Sequence, residues 1–193
     1  MGYTTNFSGD FSVDKPLDDA TYALLKGLAS TRRMKRKGLD PAVYGVDGEF
    51  YYKEGSDMGQ EHDDNIVDYN TPPSTQPGLW LQWTPLDDRI TIEWDGGEKF
   101  YNYVEWLEYI VDKILAPRGY KLSGEVYWDG EDSEDKGKIT VKNNKIVAKQ
   151  AHFSYNAPRK RTKVKLTKLQ EVAKLDKRIN ELKTKKKALL ANG

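Results

Sequence analysis

The chain has 193 residues and a net charge of +1, with 32% charged residues and no cysteine. The absence of cysteine excludes disulfides, thiolate metal sites and a cysteine nucleophile, and it is typical of a reducing compartment. No segment has the length of a transmembrane helix or the pattern of a signal peptide, so we expect a soluble, cytosolic protein.

The charges are divided unevenly along the chain. Residues 157–193 contain 13 Lys or Arg and three acidic residues, a net charge of +10, whereas residues 1–156 contain 18 basic and 27 acidic residues, a net charge of −9. We therefore predict an acidic globular domain in residues 1–156 and a basic linker with an amphipathic helix in residues 157–193. Opposite charges on one small chain favour a charged partner, or contact between the tail and the domain.

The first half of the domain is predicted to hold a strand, a helix and a long loop. Alternating apolar residues predict a strand at residues 7–13, and apolar residues at helical spacing predict a helix over about residues 18–36. The basic residues at 32–37 are interpreted as complementing the helix dipole, with phosphate contact as the alternative. After a short aromatic strand at residues 50–52, residues 53–78 show no periodicity and predict a long acidic loop.

The second half is predicted to be richer in strands. Residues 79–83 and 90–94 favour a hairpin, and residues 98–115 have the spacing of an amphipathic helix. Three further strands are predicted at residues 121–128, 138–142 and 145–149. This order predicts an α+β fold, in which two helices pack on a mostly antiparallel sheet of five to seven strands and a helical extension follows at the C-terminus.

The basic tail is predicted to end in a helix of about 24 residues, which needs its apolar stripe covered because so short a helix is marginal alone. The domain, a second copy of the tail in a homodimer, and a partner are the alternatives. The predicted partner-binding residues are Arg159, Lys160, Arg161, Lys163, Lys165, Leu175, Ile179 and Leu182 in the tail, and Asp63, Asp64, Tyr69 and Asn70 in the loop.

Metal and cofactor chemistry has little support in the sequence. The chain has only two histidines, His62 and His152, whereas zinc sites use two or three imidazoles or thiolates. The acidic turn at residues 129–135 lacks the glycine and glutamate that a calcium-binding EF-hand needs at its sixth and twelfth positions. We therefore predict no metal and no cofactor.

Aromatic residues suggest a binding surface. Five tryptophans and twelve tyrosines exceed what a small core needs, and Trp106 lies one residue off the apolar stripe of its predicted helix. We therefore expect some of these rings to reach a surface or cleft, with core packing as the alternative. The predicted pocket residues are Trp80, Trp83, Trp94, Asp95, Glu98 and Lys99.

Two motifs carry a resemblance to a known family. Residues 68–83 read DYN-x-PP-x-x-QPGLW-x-QW, and residues 92–101 read IEWDGGEKFY. With these motifs the chain resembles a family of small bacteriophage and prophage proteins, in which cysteine stands where this chain has Leu81. The resemblance covers most of the domain, excludes the basic tail, and implies a genomic context rather than an activity.

Three functions remain open at this point. The first is a phage-type accessory protein that binds a host protein or protein–nucleic-acid complex, for example one of defence or nucleic-acid processing, without catalysis. The second is weak, direct nucleic-acid binding through the basic tail, with the salt dependence that counterion release imposes. The third is a small-ligand binder or an enzyme that uses carboxylate and lysine groups in a tryptophan-lined pocket.

Overall fold

A computed structural model describes residues 2–53 and 56–151, together with positions 175, 178, 179, 182 and 183. The chain divides into two units, Met1–Phe153 and Ser154–Gly193. In the second unit the five described positions have helical backbone and exposed side chains, among them Leu175, Ile179 and Leu182. The rest of the predicted terminal helix and the basic residues 159–165 lie outside the described residues. Within the described parts, no helix is long and apolar enough to cross a membrane.

The first unit is built on a six-stranded sheet in which every pairing is antiparallel. The strands of the unit are β1 Thr5–Val13, β2 Lys35–Arg36, β3 Ile66–Asp68, β4 Trp83–Pro85, β5 Thr91–Trp94, β6 Leu122–Gly130, β7 Lys136–Lys142 and β8 Lys145–Gln150. The order in the large sheet is β4-β5-β1-β6-β7-β8, and β2 and β3 form a separate pair. The predicted α+β class with a mostly antiparallel sheet is confirmed.

Two sizeable helices accompany the sheet. Helix α1, Asp19–Ser30, begins at the N-cap Asp18, whose carboxylate accepts a hydrogen bond of 2.7 Å from the backbone N–H of Thr21. A single turn, α2, spans Pro41–Tyr44. Helix α3, Tyr103–Tyr109, continues as π-helical turns over Ile110–Leu115.

The core lies on one face of the large sheet. Alternate residues of β6 and β7, such as Val126 and Ile139, are fully buried with the apolar faces of α1 and α3. Trp83 of β4 packs its ring edge-to-face against Phe7 and Phe11, with centroids 5.4 Å apart in each pair. The opposite face of the sheet carries exposed polar and aromatic residues such as Tyr127.

Helix α1 ends six residues before the predicted boundary. Thr31 has extended backbone, with φ −118° and ψ 130°, and the chain then forms β2 instead of further helix. The reason is that the side chains of Arg33 and Arg36 are buried and bonded to protein acceptors. The interpretation of this basic cluster as a complement to the helix dipole is therefore wrong.

Other boundaries also differ from the predictions. Residues 50–52 form no strand, and the predicted loop at 53–78 contains the strand β3. Trp83 pairs with Trp94 as the predicted hairpin requires, yet residues 79–82 lie before the ladder begins. Helix α3 starts at Tyr103 rather than residue 98, because Lys99 and Asn102 adopt left-handed backbone with φ of 62° and 55°.

Candidate functional site

A cavity of about 480 Å³ lies between the segment 72–80 and the loop that enters α3. Its volume is within the range of ligand-binding cavities, and like those it has mainly apolar and aromatic walls with a few polar groups. The residues that line it are Pro72, Pro77, Gly78, Leu79, Trp80, Glu98, Lys99, Tyr101, Asn102 and Trp106. Three of the six predicted pocket residues, Trp80, Glu98 and Lys99, are therefore brought together here.

The buried wall of this cavity contains an indole N–H without an acceptor. Trp106 is fully buried, and its Nε1 has no hydrogen-bond partner. The indoles of Trp83, Trp94 and Trp128 donate to protein acceptors at distances between 2.8 and 3.0 Å. A buried donor without a partner costs about 1–3 kcal/mol, so a ligand acceptor at this atom would recover that cost.

Gly78 keeps the space beside this indole open. A Cβ atom on Gly78 would lie 3.5 Å from Nε1 of Trp106 and 3.7 Å from Nδ2 of Asn102. Two nitrogens that carry N–H groups therefore lie close to the same position beside Gly78. The Asn102 amide also donates to the carbonyl of Pro77 at 2.6 Å, which holds the loop before α3 against the segment 72–80. The arrangement is suited to an oxygen acceptor attached to an apolar group.

The rim of the cavity carries aromatic and arginine side chains. The Arg32 guanidinium lies 5.3 Å from the ring centroid of Trp80, and it donates to the Tyr69 carbonyl and the Asn70 side chain, each at 3.0 Å. Tyr101, on the loop before α3, is 53% exposed. Two of the predicted partner-binding residues, Tyr69 and Asn70, thus lie in one hydrogen-bonded group with Arg32, next to Trp80.

A buried polar network holds the segment 72–80 in place. The Arg33 guanidinium donates to the carbonyl of Tyr51 at 2.6 Å and to the side-chain oxygen of Gln76 at 3.2 Å. The Gln76 amide donates to the Glu49 carbonyl at 2.7 Å, and the Tyr109 hydroxyl donates to the Glu49 carboxylate at 3.1 Å. Burial lowers the pKa of Arg33 to about 10 and raises the pKa of Tyr109 above its usual range. These groups hold the segment 72–80 in place but do not line the first cavity.

The other three predicted pocket residues lie elsewhere. Trp83 is fully buried in the core, and Trp94 packs edge-to-face on Phe7 at 5.4 Å. Asp95 accepts a 2.8 Å hydrogen bond from the backbone N–H of Gly97 in an exposed turn, where partial desolvation of its carboxyl raises its pKa. Asp95 therefore does not share a cavity with Glu98 and Lys99.

The acidic residues predicted for partner binding are not part of this cavity. Asp63 accepts a 3.1 Å hydrogen bond from Arg36, and the N–H of Asn65 together with Arg36 holds the pKa of Asp63 below its usual range. Asp64 is exposed and lies 3.4 Å from the exposed His62. Within residues 2–53 and 56–151, no group of three or more histidine or acidic side chains could hold a metal ion.

A second cavity, of about 340 Å³, shares the lining residue Pro77 with the first. The acidic residues Glu105, Glu108 and Asp112 line it, with Lys113 as its one lysine. It also contains Thr75, whose hydroxyl is buried without a partner. Because Pro77 lines both cavities, we treat them as the two halves of one channel, the first aromatic and the second acidic.

A third cavity, of about 540 Å³, is lined mainly by residues of β1, β6 and β7. Two of its lysines are paired, Lys136 with Asp129 at 2.9 Å and Lys138 with Glu125 at 2.9 Å. Its tryptophan, Trp128, donates to Asp135 at 3.0 Å. The first cavity is therefore the stronger candidate, because its buried donor still lacks an acceptor.

Sequence reasoning missed the residues that give the first cavity its polar character. From the sequence, Trp106 is predicted only as a ring off its helical stripe, Gly78 only as part of a motif, and Asn102 only as a position within the predicted helix at residues 98–115. A signal was present in the run Gln76-Pro77-Gly78, since a glycine between prolines and a tryptophan marks close approach of backbone to another group.

The comparisons with known proteins found no relative: the chain matches no family model, no curated protein and no solved structure. The resemblance to phage and prophage proteins therefore stays a prediction that rests on the two motifs.

Proposed function

We propose that the protein is a binding protein, and that it binds a macromolecular partner at the first cavity and its rim. The observation that carries the proposal is the buried indole N–H of Trp106, which has no acceptor and belongs to a residue that lines a cavity together with Trp80 and Tyr101. Tryptophan, tyrosine and arginine are the residue types that most often dominate binding energy at interfaces. The phage-type motifs add the further proposal that the partner belongs to a bacterial host and that binding takes place in its cytoplasm.

The charge of the domain favours a protein partner over a nucleic acid. Residues 1–156 carry a net charge of −9, and the exposed carboxylates of Glu98, Glu105 and Glu108 border the two cavities. These charges repel a phosphate backbone. Nucleic-acid binding through the tail residues Arg159 to Lys165 rests on the sequence alone.

A site-specific photo-cross-link tests this proposal. A benzophenone amino acid replaces Tyr101 in one variant and Tyr127 in another, two tyrosines that are 53% and 52% exposed. After irradiation in a bacterial extract, we expect a nuclease-resistant protein adduct at position 101 and none at position 127. The adduct at position 101 should disappear when Gly78→Ala is added, because the new Cβ fills the space beside Trp106.

The same experiment contains the results that would contradict the proposal. Equal adducts at both positions, an adduct that nuclease removes, or an adduct whose mass is that of a second copy of this chain would each exclude a partner protein at the cavity. A small molecule retained by the purified protein in native mass spectrometry and lost in Gly78→Ala would instead support the small-ligand alternative, which the cavity volume allows.

A further inference from the structure

We infer that the segment bound in the channel is an extended, proline-containing peptide with a basic side chain beside the proline. The inference rests on the proposed function and specifies the chemistry of the partner. Three features of the channel carry it: its flat apolar walls, its free donor and its acidic half.

The walls of the first cavity fit a prolyl ring. Trp80 and Tyr101 supply aromatic side chains, and Pro72 and Pro77 supply further rigid apolar surface. Aromatic-lined grooves of this kind bind polyproline II segments, because the ligand is already extended and loses little conformational entropy on binding. A flexible apolar segment would lose more conformational entropy on making the same contacts.

The free donor fits the backbone of such a segment. A polyproline II helix has no internal hydrogen bonds, so each of its carbonyl oxygens is free to accept one. The indole N–H of Trp106 is buried and without an acceptor, and the Asn102 amide nitrogen lies close to the same position beside Gly78. A carbonyl oxygen of the bound segment would satisfy the indole, whereas a helical segment would have its carbonyls occupied.

The acidic half of the channel selects a basic side chain. Glu105, Glu108 and Asp112 recur at helical spacing on one side of α3 and its continuation, and all three are exposed. Among the described residues none of them forms an ion pair, and Lys113 is the single lysine that lines this cavity. An arginine or lysine that follows the prolyl residue across Pro77 would meet this negative surface.

Peptide arrays test the inference with the full chain. The first array holds twelve-residue polyproline peptides that each contain one arginine, and the position of the arginine differs from peptide to peptide. The second has glutamate in place of arginine, and the third has glycine and serine in place of proline. We expect capture by the first array only, with affinity at least about tenfold above the best member of the other two.

Matched variants locate the binding. Gly78→Ala should reduce capture at least about tenfold at unchanged thermal stability, since its Cβ makes only ordinary contacts of 3.5 and 3.7 Å. The double variant Glu105→Gln and Glu108→Gln should reduce capture about fivefold, the effect of two exposed ion pairs. The control removes two other carboxylates, Asp10→Asn and Glu93→Gln, which line neither cavity, and should leave capture unchanged.

Three results would overturn the inference: no capture by any register of the first array, equal capture by all three arrays, or capture that the control variant reduces as strongly as the Glu105 and Glu108 changes. These results are separable from a failure of the proposed function. A cross-link at position 101 that persists when no proline–arginine peptide binds would leave a partner protein at the cavity and exclude only this peptide chemistry.

Discussion

Replacing Arg33 by methionine is expected to lower the free energy of unfolding by about 2–4 kcal/mol, because the Tyr51 carbonyl and the Gln76 side-chain oxygen lose their donor. The guanidinium is fully buried and donates to the carbonyls of Glu49 and Tyr51 and to the side chain of Gln76. Methionine fills a similar volume but supplies no hydrogen bond. Equilibrium unfolding in urea, followed by tryptophan fluorescence, measures the difference.

The adjacent arginine provides a matched control. Arg32 makes its hydrogen bonds at the surface, so Arg32→Met should change the free energy of unfolding by less than about 1 kcal/mol. It should nevertheless weaken partner binding, since it removes the cation beside Trp80. Equal destabilisation by the two substitutions would contradict the structural role assigned to Arg33.

Trp83→Ala is expected to destabilise the protein by about 3–5 kcal/mol, the typical cost of removing a fully buried large side chain. The ring contacts Phe7, Phe11 and Phe100, and its N–H donates to the carbonyl of Tyr103 at 2.8 Å. The change therefore removes both packing and a hydrogen bond to the start of α3. Urea unfolding again gives the free energy.

Trp80→Ala should instead affect binding more than stability. Trp80 is half-buried at the cavity, so its removal should cost about 1–2 kcal/mol of stability while it abolishes the cross-link at position 101. If Trp80→Ala destabilised the protein as much as Trp83→Ala, Trp80 would be a core residue and its assignment to a binding site would be wrong. The pair thus separates a structural tryptophan from one that serves binding.

The sequence predicted the sheet well because its strands have a simple pattern. In β6 and β7 buried and exposed residues alternate, and Asn143 and Asn144 adopt the left-handed backbone expected of a tight turn. The end of α1 could not be predicted in the same way. A cluster of arginines at a helix end has an ordinary electrostatic explanation, and only the tertiary structure supplies the acceptors that bury Arg33.

The sequence predicted only part of the candidate site. Trp80, Glu98 and Lys99 were expected in a pocket from residue type and proximity in sequence, and they do line one cavity. Trp83 and Trp94 were grouped with them because alternation along a strand does not reveal which face is covered. Trp106 was left out because the missing acceptor of its indole is a property of the folded surroundings, and no spacing rule encodes it.

The indole proton of Trp106 gives the most direct test of the binding site. In a ¹⁵N–¹H correlation spectrum, with this signal assigned from Trp106→Phe, we predict that it lies upfield of the hydrogen-bonded indoles of Trp83, Trp94 and Trp128. On titration with the proline–arginine peptides it should move downfield more than any other indole, as its N–H gains an acceptor. A Trp106 signal already downfield in the free protein, or one that stays fixed while other signals shift, would contradict the account.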